Sequence, residues 1–79
     1  MSDVSRLDSD GFGEKLRRWR SRRALSQREL AALAGLQHVT VARLETGSRQ
    51  PRPKTIRVLA KALDVSVDEL QGYASRDEK

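Results

Sequence analysis

Apolar residues recur along this chain at the three-and-four spacing of helices, in five separate runs. Phe12, Leu16 and Trp19 share one face of a helix that ends near Arg23, and Lys15, Arg17, Arg18 and Arg22 cover its other faces. Leu30, Leu33 and Ala34 mark the buried face of a second helix. After Gly35 the apolar set resumes with Leu36, Val41 and Leu44, which predicts a third helix from about Gln37 to Thr46. Ile56, Leu59, Ala60 and Leu63 give a fourth helix its buried face, and Leu70 turns inward from a short fifth. The expected fold is therefore all-α, a compact bundle of five helices.

Polar punctuation between the runs supports these boundaries. Ser26-Gln27-Arg28-Glu29 and Ser66-Val67-Asp68-Glu69 are capping boxes, in which a serine hydroxyl and a glutamate three residues later satisfy reciprocal backbone N–H groups. Gly35 ends the second helix in a left-handed turn that has no Cβ to clash. Pro53 suits the first turn of the fourth helix, where its missing N–H costs nothing, and Asp64-Val65 makes the last turn. Ala31 is small where a crossing helix must come close. Residues 27–46 thus read as two helices crossing steeply about a tight turn, a helix-turn-helix. The register of Trp19 with Phe12 and Leu16 makes it a core residue rather than a stacking platform for bases. Residues 1–10 are polar without helical period and read as a mobile arm, 11–73 as the domain, and 74–79 as a frayed tail.

Seventy-nine residues suffice for one small domain with a modest core. The chain has no cysteine, which removes disulfides and thiolate metal sites, and only one histidine. It also lacks a glycine-rich phosphate loop and paired carboxylates at a plausible pocket, so neither an enzyme nor a cofactor or metal is expected. Asp68 and Glu69 are adjacent, but they open a helix. No apolar run approaches the roughly 20 residues of a membrane span, and residues 1–10 lack the apolar core of a signal peptide, so a soluble cytoplasmic protein is expected. The net charge of +5 hides a segregation. Residues 11–61 carry 13 Lys or Arg against Glu14, Glu29 and Glu45, or +10, and the remainder carries three basic against eight acidic residues, or −5. The positive charge coincides with the two-helix motif, as a polyanion-binding surface requires.

Leu25-Ser26-Gln27, Glu29-Leu30-Ala31, Ala34-Gly35, Val41, Arg43-Leu44-Glu45 and Gly47 resemble the helix-turn-helix of the Xre/Cro family of phage repressors and bacterial regulators. The likeness runs from about Phe12 to about Leu70 and includes Pro51 and the segments 59–63 and 65–70. It implies a bacterial or phage transcriptional regulator of the repressor type that reads an inverted repeat in double-stranded DNA as a homodimer.

By that resemblance the third helix is the recognition helix, and Gln37, His38, Val39 and Arg43 occupy its base-reading positions. Gln37 suits adenine, Arg43 suits guanine N7 and O6, and Val39 suits a thymine methyl, so a half-site holding at least one G·C pair is expected. The best-studied phage repressors carry glutamines where this chain has His38 and Val39, so their operators do not transfer. A protonated His38 would offer DNA two donors in place of one. Ser26, Gln27 and Thr40 are expected at backbone phosphates, with the positive end of the second helix favouring an anion. Arg49 and Arg52 join them from the stiff loop that follows Gly47, and Arg52 stands where the family often has a capping serine. The resemblance also implies an ion pair between Arg20 and Glu45, and a dimer surface on the fifth helix including Leu70 and Tyr73. An antitoxin, a restriction–modification controller, and an interaction module that binds another regulator instead of DNA are the alternatives on the same fold.

Overall fold

The computed structural model describes residues 11–72, and all regular structure among them is helical. Five helices follow one another: α1 Phe12–Arg22, α2 Gln27–Ala34, α3 His38–Thr46, α4 Pro53–Leu63 and α5 Val67–Gln71. α1 packs on α3 and α5, α2 on α3 and α4, and α4 on α5, so the chain closes around one core. Leu16, Leu30, Val41, Leu44, Leu59, Leu63 and Leu70 are its fully enclosed members.

Local chemistry sets the ends. Both capping boxes form: Ser26 Oγ accepts from Glu29 N at 3.0 Å while Glu29 Oε1 accepts from Ser26 N at 2.8 Å, and Ser66 with Glu69 repeats the exchange at α5. Gly35 takes φ 73°, which lets Leu36 N reach back to Ala31 O at 2.8 Å and turns the chain into α3. Helix α3 begins at His38, one residue later than expected, because Gln37 is extended and serves as its N-cap without a side-chain bond.

One expected core residue lies outside the core. Leu33 is 61% exposed. At about 100° per residue, Gln27, Leu30, Ala31 and Ala34 occupy a single arc roughly 100° wide, and Leu33 falls about 60° beyond its edge. The buried arc of α2 is centred on the side where α3 and α4 pack, and Ala31, 2% exposed, lies in it. Spacing to Leu30 alone does not distinguish the two flanks. Trp19 sits at the margin of the core between α1 and α5, where its Nε1 donates to Glu69 O at 3.2 Å. The Arg22 and Arg23 guanidinium carbons lie 5.0 and 5.4 Å from its ring centroid, within cation–π range. Arg23 also donates from Nε to Leu63 O at 2.7 Å and so satisfies the last turn of α4.

At Gly13 the contact between α1 and α3 is made by backbone. A Cβ built on Gly13 would stand 2.4 Å from Leu44 O and 2.6 Å from Glu45 O, closer than any methyl group is tolerated. Glycine inside a helix ordinarily weakens it, and Gly→Ala is expected to add about 0.5–1 kcal/mol. Here the sign reverses. Gly13→Ala is expected to destabilise the domain by about 1–3 kcal/mol, the range for overpacking, read as a lower urea midpoint at unchanged slope. A raised midpoint would mean that α1 and α3 part freely.

Candidate nucleic-acid interface

Helix α3 is held by one side and open on the other. Val41 and Leu44 are buried and Glu45 points inward with them. Val39 and Arg43, one turn apart, fall on the opposite side of the helix. Val39 is 43% exposed, an unusual setting for valine, and Arg43 is exposed beside it. Gln37 and His38 are exposed at the N-terminal end of the helix, and Thr40 is half-buried. The four positions expected to read bases therefore all present surface. At the other end of α3 the carbonyl of Arg43 accepts from Thr46 Oγ1 at 3.1 Å and from Ser48 N at 3.1 Å, and Gly47 closes the helix at φ 85°.

The phosphate candidates divide. Ser26 is exposed, but its hydroxyl is already engaged in the capping box. Arg49 and Arg52 are exposed in the connection after α3, with Arg52 as the N-cap of α4. Gln27 is half-buried, because its side-chain Nε2 donates to Glu45 Oε1 at 2.9 Å.

That bond belongs to a network at the junction of three helices. Arg20 Nε donates to Glu45 Oε2 at 2.6 Å and Arg20 Nη2 to Glu45 Oε1 at 3.0 Å, the bidentate fork that suits a carboxylate. Arg20 Nη1 donates to Leu25 O at 2.8 Å and so fixes the connection between α1 and α2. The side chains of Arg20 and Glu45 are 17% and 4% exposed, so the pair is largely withdrawn from water. Its hydrogen bond to Glu45 raises the Arg20 guanidinium above its ordinary value, and burial, which acts the other way, is the lesser influence. A raised value stabilises the fold at every pH below the ordinary one, so Arg20 introduces no pH dependence near neutrality.

Gln27, Arg23 and Gly13 are the positions whose roles sequence reasoning missed or assigned elsewhere. Their partners lie 18 and 40 residues away for Gln27 and Arg23, and for Gly13 in the backbone of α3, where no local pattern signals them. On the dimer surface, Leu70 requires correction. It is wholly buried and packs the core of its own chain, so it offers nothing to a second copy. Tyr73 lies outside the described residues.

A short helix turned by a left-handed glycine against an open, outward-facing helix defines a helix-turn-helix domain. The family model described as a helix-turn-helix domain matches residues 12–71, and the chain belongs to that family, in the company of repressors and regulators of the Xre/Cro kind. The transcriptional repressor RghR of Bacillus subtilis (strain 168) is 39% identical over 62 residues, which are 77% of this chain and 46% of RghR. The chain thus spans about half the length of that relative. The restriction-modification controller protein C.AhdI from Aeromonas hydrophila is 41% identical, with a TM-score of 0.76 over 81% of this chain and 97% of the controller. The P22 c2 repressor, crystallised in complex with a synthetic operator, is 27% identical with a TM-score of 0.71 over 78% of this chain and 94% of its own.

The Arg20–Glu45 pair gives a direct test of what joins the helices. Removing Arg20 leaves the Glu45 carboxylate enclosed and half-solvated, so Arg20→Ala is expected to cost about 3 kcal/mol, a fall of more than about 10 °C in melting temperature for a domain of this size. A melting temperature that did not move would give the pair the negligible weight of a surface contact.

Proposed function

We propose that this chain is a sequence-specific double-stranded DNA-binding transcriptional regulator of the repressor type, which places α3 in the major groove. The observation that carries this reading is the outer face of α3, where Gln37, His38, Val39 and Arg43 are exposed while Val41, Leu44 and Glu45 hold the helix from behind. A major groove admits one helix and presents a distinct donor and acceptor pattern for each base pair. Arg43 addresses guanine, Val39 a thymine methyl and Gln37 an adenine. Ser26, Gln27 and Thr40, with Arg49 and Arg52, meet the phosphates on either side and orient the helix without contributing sequence information.

The likeness to C.AhdI over nearly all of that controller favours a second context, control of a restriction–modification operon, on the same DNA-reading mechanism. An interaction module that binds only protein fits less well, because the motif-bearing segment is strongly basic.

Reading a palindrome requires two copies with half-sites about 34–36 Å apart. With Leu70 enclosed, the surface that suits a second copy is the open groove between α4 and α5. Half-buried Val58, Val65 and Val67 line it, with Arg57 and Lys61 on α4 and Asp64 and Glu69 beyond them. Opposite charges in one groove match under a two-fold axis, where each residue meets its counterpart's partner.

Genomic fragments enriched on the purified protein at about 150 mM salt are expected to share an inverted repeat. Within each half-site, Arg43→Ala is expected to relax one position by about 1–3 kcal/mol, whereas Arg49→Ala should weaken all sequences alike and reduce the salt slope by about one. Salt-sensitive binding with no enriched sequence would overturn the reading. For the dimer, Lys61→Glu is expected to lose about tenfold or more on a two-half-site operator and nothing on a single half-site. Equal loss on both would place the dimer surface elsewhere.

A further inference from the structure

Glu45 is too enclosed to touch DNA, yet its position connects it to the proposed interface. Three donors converge on its carboxylate: Arg20 through two nitrogens, and Gln27 through Nε2 at 2.9 Å. Gln27 is the first residue of α2, a helix of eight residues, and stands beside main-chain N–H groups that have no intrahelical acceptor. A primary amide is planar and carries two N–H donors on one nitrogen. With one of them turned in to Glu45, the direction of the other is fixed. Gln27 is half-buried rather than enclosed, and among the described residues its amide makes no other hydrogen bond. That places an oriented donor next to the free N–H groups of the α2 N-terminus, the arrangement that suits a phosphate oxygen.

The charge at Glu45 also has to be accounted for. A bare carboxylate behind this donor would repel a phosphate, and the bidentate Arg20 neutralises it in place. The three side chains then have separate duties: Arg20 cancels the charge, Glu45 orients the amide, and Gln27 makes the outward bond. We propose that Glu45 is a positioning residue for a DNA backbone phosphate, acting through Gln27. The proposal rests on the DNA-binding reading above and adds to it a residue that touches no part of the DNA.

The test uses the full chain and a duplex carrying the enriched repeat, with each backbone phosphate replaced in turn by a neutral methylphosphonate. On the wild type, one replacement near the α2 N-terminus is expected to cost about tenfold in affinity, the scale of a hydrogen bond to a charged group. In Gln27→Ala and in Glu45→Gln the unmodified duplex should already bind about tenfold more weakly, and that same replacement should cost nothing further. A Glu45→Gln variant that keeps the wild-type sensitivity at the phosphate to which Gln27→Ala is blind overturns the proposal. So does a loss spread evenly over all phosphates.

Because Glu45→Gln loosens the fold, a second measurement uses the wild type alone. In its NMR spectrum one side-chain amide proton of Gln27 should be protected in the free protein, and the other should shift when DNA is added. Two equivalent, unprotected protons, or a pair unmoved by DNA, overturn the proposal. A wild type that binds no duplex at all is a different failure, and removes the DNA-binding reading itself.

Discussion

A single carboxylate, enclosed to all but 4% of its side-chain surface, ties three helices together. Glu45 closes α3, and its two oxygens receive Arg20 from α1 and Gln27 from α2. An ion enclosed this far is tolerable only if its lone pairs are filled, because solvation is otherwise lost without return. Three donors fill them. The same guanidinium holds the carbonyl of Leu25, so the junction between α1 and α2 is set by the group that sets the angle of α3. Leucine packing supplies the bulk of the core, but it is non-directional. The network provides direction, fixing where α3 stands relative to the N-terminus of α2.

Most of the helices were legible because each begins or ends on a residue with a local reason to be there. Ser26 with Glu29, Ser66 with Glu69, Gly35 and Pro53 act within four residues of themselves, and their geometry is specified without a long-range contact. The Arg20–Glu45 pair spans 25 residues and was anticipated only through the family resemblance. Leu33 was misplaced for a related reason: apolar spacing locates a stripe but does not say which of its flanks the neighbouring helices cover. Gln27 was assigned outward although its amide is turned partly inward, since a polar residue at a helix start reads as solvent-facing unless its distant partner is known.

Leu70 illustrates the opposite error. It sits on the helix that the family resemblance offers to a second copy, although its own register turns it inward. In so short a helix, the one fully enclosed leucine is what attaches α5 to the rest of the domain. The half-buried valines of the α4–α5 groove, of which Val58 lies on the side of α4 turned away from its core face, are the ones left with surface.

The close approach at Gly13 has a bearing on how such a domain diversifies. Main-chain atoms of α1 at Gly13 rest against the carbonyls of Leu44 and Glu45, so the seat of α3 at this point is built from peptide groups and one glycine of α1, and not from the outer side chains of the helix. Inward side chains of α3 are few, and the outward ones take no part in holding it. The outer positions of the helix can therefore be exchanged as a set, like the type in a printer's frame, and a new operator preference acquired without re-engineering the scaffold that holds it.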